Sequence, residues 1–174
     1  MTAATGTGTT RSGFFSFPDP VNETAVRLTA AGVAVLALLA VVTRRPELLA
    51  VIAYGFTARV LAGPRLSPLA LLSSRVIAPR LGNQPRLVAG PPKRFAQGLG
   101  AVASMTAVGC YYLAGWHTAA FGLAVVMVVL ATFESAFRIC VGCILHAWLA
   151  RRGVVRSAEC VDCGDISLRL GALR

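Results

Sequence analysis

A chain of 174 residues has room for one domain, and this one is 56% apolar and only 14% charged, against roughly a quarter charged in soluble domains. The apolar residues are blocked into long runs, which argues against a soluble core and for an integral membrane protein. The net charge of +10 does not point to nucleic acid, because most basic residues gather on one side of the topology derived below, as the positive-inside rule expects.

Sixteen of the seventeen basic residues are arginine and one is lysine, a skew that reads as codon bias. Residues 1–16 open with Thr, Ala and Gly. They cannot bury enough surface to offset ordering and are expected to form a disordered arm. No secretory-signal pattern leads them. Phe14, Phe15 and Phe17 before the rigid Pro18-Asp19-Pro20 turn suit a membrane interface. Asn22 then reads as a helix N-cap, with Glu23 in the first turn.

Four spans are predicted over 25–43, 48–63, 95–116 and 118–149. The first is apolar except for Arg27, which lies near enough to its end to snorkel. The second, opened by Pro46, is short and carries Arg59. Between the second and third lies a basic connection without an acid. Leu69, Leu72 and Val76 follow Ser67-Pro68 at helical spacing, and 68–78 is expected to be an interfacial amphipathic helix; the alternative is a loop helix packed on the bundle. The third span is free of charge, and its small residues suit a central position. The fourth, thirty-two residues without proline or capping glycine, would be roughly 48 Å long, against ~30 Å of hydrocarbon. Lipid would end near Arg138.

The expected fold is therefore all-α: a four-helix integral membrane bundle over 17–152 with an interfacial helix, followed by a short cysteine-containing tail, 153–174. The basic connection and both termini are expected on the cytoplasmic side of the cell membrane, in a multi-pass arrangement. The lipid bilayer is then the first partner, and nucleic acid is not one.

Four of the five cysteines form two pairs, Cys140-Val141-Gly142-Cys143 and Cys160-Val161-Asp162-Cys163, sixteen residues apart. That spacing fits a four-cysteine zinc site, two short pairs converging as a tetrahedron of thiolates. The glycine after Cys163 favours the tight turn of a zinc knuckle. Cys140 and Cys143 share one helix face, and His146, one further i+3 step along, is a possible auxiliary ligand. An iron–sulfur cluster is the other metal group that four soft ligands suit. A closed site would be structural, setting Arg151, Arg152 and Arg156 into a basic docking surface.

Thiol–disulfide exchange, with no cofactor, is the alternative for the same four cysteines. Against the first pair stands its place deep inside the predicted fourth helix, where a disulfide between i and i+3 strains the backbone. Glu134 and Arg138, at i and i+4 with the acid first, are expected to pair, and Arg59 to join them in a buried polar cluster. Cys110 reads as a small buried hydrophobe. Neither a catalytic triad nor a phosphate loop is visible, so the chain is not assigned as an enzyme or a non-enzyme.

The run Phe17-Pro18-Asp19-Pro20-Val21-Asn22-Glu23 with Arg27, the run Arg94-Phe95-Ala96-Gln97-Gly98, and Phe137-Arg138-Ile139-Cys140-Val141-Gly142-Cys143 together resemble a bacterial membrane-protein family, domain of unknown function 4395. The resemblance covers roughly Phe14 to Arg152. It implies a bacterial inner-membrane location. Members often stand beside thioredoxin-like or sulfurtransferase proteins, which implies a thiol or sulfur role and a partner of that kind on the cytoplasmic side. Arg138 departs from the pattern, standing where an apolar residue is common.

Overall fold

The structure is a computed structural model and describes residues 21–80, 87–88 and 90–154. The predicted arm and the Cys160–Cys163 pair lie outside the described residues. Asn22 caps the first helix as expected: its side-chain oxygen accepts the Thr24 N–H at 2.9 Å. Helix α1 runs Glu23–Thr43 and α2 runs Glu47–Ala62, separated by a turn in which Arg44 takes a left-handed conformation. A 3-10 turn, Gly63–Arg65, leads into α3, Pro68–Leu72, which continues through a π-helical turn, Ser73–Ile77, into α4, Ala78–Arg80. Helices α5, Gly90–Tyr112, α6, His117–Phe137, and α7, Val141–Arg151, complete the order. Two short strands, β1 (Val21–Asn22) and β2 (Leu87–Val88), pair antiparallel and tie the start of α1 to the approach to α5.

The architecture is all-α: α1 packs along α6 and α2 along α5, while α5 also contacts α6 and α7. Alanine lines the contacts between helices. Ala37, Ala40, Ala107, Ala120 and Ala124 are fully buried, so the helices meet through small residues. One core cluster joins Val33, Ala37, Ile52 and Met127, and a second joins Ala40, Leu49, Ala120 and Ala124. The outer faces are apolar as well, with Val35, Leu38, Val42, Val102 and Val126 exposed. Among the described residues two helices, α1 and α6, are long and apolar enough to cross a membrane. The sixteen residues of α2 fall short of a full span, and α5 begins with the polar Lys93, Arg94 and Gln97.

Several expectations change. The 68–78 segment lies against α1 and α2 with Ala70, Ser73 and Ala78 buried, as is Ser67 just before it, so it packs on the bundle. The third helix is shifted toward the N-terminus, beginning at Gly90 and ending at Tyr112. The largest correction concerns the fourth span, 118–149, which is not one helix. It stops at Phe137, because Arg138 adopts φ 61° and the Arg138 and Ile139 N–H groups both return to the Phe133 carbonyl, the latter at 3.2 Å.

Arg27 explains how this end is tolerated. Rather than snorkelling, it donates through Nε and Nη2 to the Ser135 carbonyl at 2.9 and 2.7 Å. A carbonyl orphaned in the last turn of α6 is thereby satisfied from α1. The chain then restarts: Cys140 is extended at φ −98°, ψ 100°, and its carbonyl accepts the first bond of α7 from Ile144 N–H at 3.1 Å.

A left-handed backbone costs a non-glycine residue about 1–2 kcal/mol. Arg138→Gly is therefore expected to stabilise the protein by about 1 kcal/mol, read as a higher unfolding midpoint in detergent. In an unbroken helix the same change would destabilise by about 1 kcal/mol, so a lowered midpoint would contradict the break.

Candidate thiol site

Ending α6 at Phe137 puts Cys140 at the N-cap of α7 and Cys143 in its first turn. The glycine inside the Cys-Val-Gly-Cys element makes this seat possible. A Cβ on Gly142 would lie 2.6 Å from the Ala96 Cβ and 2.7 Å from its Cα, so the first turn of α7 rests directly on the backbone of α5. That contact carries both thiols into the bundle: Cys140 is 8% exposed and Cys143 6%.

Alongside the thiols lies a charge pair. Lys93 Nζ on α5 meets Glu134 Oε1 on α6 at 2.8 Å, with both side chains largely buried. Burial works against the Lys93 charge, but Glu134 and the two cysteines outweigh it and hold the ammonium above the ordinary lysine range. The two thiols are driven apart. A hydrogen bond from the Cys143 side chain holds Cys140 below the ordinary cysteine range, against burial and the Glu134 charge, with Lys93 and the Cys143 backbone N–H acting in the same direction as the hydrogen bond. Giving that hydrogen to Cys140, together with burial, pushes the Cys143 thiol well up. Cys140 is thus the more acidic thiol of the pair, at a helix N-terminus where the dipole favours its ionised form.

Cys140 also separates two cavities. The outer, about 250 Å³, is lined by Glu23, Lys93, Arg138, Ile139, Cys143 and Ile144 among others. The inner, about 240 Å³, reaches into the bundle and carries Arg59, Gln97 and Glu134 on an otherwise mainly apolar wall. Cys140 belongs to both walls.

Of the residues singled out in the sequence, Cys140 and Cys143 are brought together. The objection that Cys140 lies deep within a helix falls with the break. Cys160 and Cys163 lie outside the described residues, and among the described residues no group of three or more His, Cys, Asp or Glu side chains converges as a metal-holding set. His146 is buried, its ring set edge-on to Phe95 at 5.3 Å and its Nδ1 without a hydrogen-bond partner among the described residues.

The expected cluster of Arg59, Glu134 and Arg138 is rearranged. Glu134 pairs with Lys93, and Arg138, released from helical geometry, points toward Glu23, Nε to Oε1 4.0 Å, with its side chain half-exposed. Arg59 does reach the same inner cavity as Glu134. It donates to Gln97 Oε1 at 2.7 Å and Ser67 Oγ at 3.2 Å, and its guanidinium lies 4.5 Å over the Phe56 ring. Lys93 and Gln97 are the site residues that sequence reasoning missed. The available signal was the lone lysine among sixteen arginines: a compact ammonium fits this confined pair more readily than a planar guanidinium fork.

Residues 21–151 match the family described as domain of unknown function (DUF4395), and the chain belongs to that family. No curated protein and no solved structure matches it.

Alkylation by a small reagent, mapped peptide by peptide against pH, should find Cys140 reacting with a midpoint below the ~8.5 of a free cysteine, and Cys143 staying unreacted. Lys93→Met removes a favourable charge and should raise the Cys140 midpoint, while Glu134→Gln should lower it. Cys143 reacting first, or both variants moving Cys140 the same way, would contradict the electrostatic assignment.

Proposed function

We propose that this DUF4395 chain is a membrane thiol–disulfide relay, in which Cys140 exchanges with a soluble thiol protein and Cys143 completes the pair. The observation that carries the reading is the placement of Cys140 at the N-cap of α7 with Cys143 one turn on. Exchange needs a stabilised thiolate and a second thiol within reach, and a helix N-terminus supplies the first. The apolar flanks of α1 and α6 support residence in a lipid bilayer, with α2 and α5 completing the bundle. The basic 64–94 connection supports a cytoplasmic position for the end bearing the cysteines. A thioredoxin-like or sulfurtransferase protein on that side is the partner class.

In the oxidised state a partner thiolate attacks Cys140 Sγ. The Cys140–Cys143 bond breaks, and its electron pair passes to Cys143, which takes up a proton. The partner's second thiolate then attacks its own mixed-disulfide sulfur and expels Cys140 as the stabilised thiolate. Two electrons have moved from partner to pair. The outer cavity leaves room at Cys140 for the first attack, with Ile139 and Ile144, both exposed, as an apolar rim.

The second reading, one zinc ion on Cys140, Cys143, Cys160 and Cys163, rests on the spacing of the two pairs. One preparation separates the readings. Purified without chelator, the relay should carry less than about half a metal ion per chain and a reversible Cys140–Cys143 disulfide. Its Cys143→Ser variant should accumulate a mixed disulfide at Cys140 with an oxidised thioredoxin-like protein. Stoichiometric zinc with no mixed disulfide would hand the site to the metal.

A further inference from the structure

A relay that takes two electrons from a partner must pass them on, and the second cavity bears on where they go. We infer that the inner cavity beside Cys140 binds the head group of a lipid-soluble quinone, which reoxidises the Cys140–Cys143 dithiol. This inference rests on the relay reading and names the electron acceptor for that same pair.

Size, chemistry and access agree. A cavity of ~150 Å³ already admits a benzene ring, so about 240 Å³ has room for a substituted six-membered ring. Phe56, Met127 and Val141 give it apolar walls, and the polar groups are few and placed together. Quinone oxygens accept hydrogen bonds and gain negative charge on reduction. Arg59 supplies a buried cation, fixed by Gln97, Ser67 and the Phe56 ring. Because Gln97 Oε1 accepts from Arg59, the amide N–H groups of Gln97 are turned to other acceptors. Donors aimed where charge develops are what such a reduction needs. Leu99, Val126 and Leu130 line the cavity and are also 40%, 51% and 42% exposed, so its mouth lies on the apolar flank of α5 and α6. A ligand dissolved in the bilayer reaches it from there, while the partner protein uses the outer cavity.

The chemistry balances. The Cys140 thiolate adds to an electrophilic ring carbon and the ring takes up a proton. Cys143 gives up its proton and attacks Cys140 Sγ, forming the S–S bond as the C–S bond breaks. The electron pair leaves on the ring, which takes up a second proton. Dithiol and quinone become disulfide and quinol, with two electrons and two protons transferred.

The test uses the full-length protein in detergent, reduced and freed of reductant under anaerobic conditions, then mixed with decylubiquinone or, separately, with the water-soluble oxidant diamide. The expected result is stoichiometric quinol formation, read by absorbance, together with a Cys140–Cys143 disulfide, read by mass. Ala103→Phe, which fills the cavity from α5, and Gln97→Leu, which removes a donor, should each slow the quinone reaction at least roughly tenfold. Either variant suffices if the other does not fold, and each is compared with its own diamide rate. Oxidation by diamide but not by decylubiquinone, or a quinone rate that neither variant slows, would overturn the quinone site and leave the relay standing. No Cys140–Cys143 disulfide with either oxidant would overturn the relay itself.

Discussion

The arrangement of this protein depends on how one helix ends. Between Phe137 and Cys140 the chain takes a left-handed step at Arg138, and the bidentate reach of Arg27 to the Ser135 carbonyl satisfies α6 at the point where it stops. Were α6 continuous, its residues after 137 would run on along one axis, and Cys140 would be a mid-helix side chain. With the break, α7 sets off against α5, its N-terminus is buried rather than extended into solvent, and two cysteines arrive beside a lysine and a glutamate. A single hydrogen-bonded guanidinium on α1 thus shapes a site formed by α5, α6 and α7.

Burial makes that site electrically demanding. The Lys93–Glu134 pair is held largely out of water, where charges are costly to desolvate and costly to leave unpaired. Its presence gives the thiols a nearby cation that does not wander, and the opposed shifts of Cys140 and Cys143 follow from sharing one hydrogen bond in that environment. Gly142 is part of the same constraint, since any side chain there would push α7 off Ala96 and separate the thiols from Lys93.

Much of the helical framework is legible in the sequence, because run length, capping by Asn22, the turn at Arg44–Pro46 and the small residues of α5 each act locally. The break is not. Helix ends are announced by glycine or proline, and neither stands within three residues of Arg138; the signal is Arg27, 108 residues before the Ser135 carbonyl that it satisfies. The Glu134–Arg138 pair fails for the same reason, since i, i+4 reasoning presumes a continuous helix. The Cys-Val-Gly-Cys element and its family resemblance were readable. Its environment was not: Lys93 sits in a basic stretch that resembles ordinary positive-inside sequence, and only the fold brings it onto Glu134. The buried face of the 68–80 segment was equally hidden, because a moderately apolar helix reads alike whether lipid or protein covers it.

The central claim is that the helix break turns Cys140 and Cys143 into an exchanging pair with a stabilised thiolate. It is tested most directly by the reduction potential of that pair, with Cys160 and Cys163 replaced by serine so that no other pair contributes. The protein is equilibrated in thiol–disulfide buffers, quenched in acid, and read by the mass of the peptide carrying both residues. Stabilising the reduced form makes a disulfide more oxidising, so the account predicts a reversible couple lying above the ~−270 mV of thioredoxin. A potential at or below that value, or no reversible couple, would contradict it.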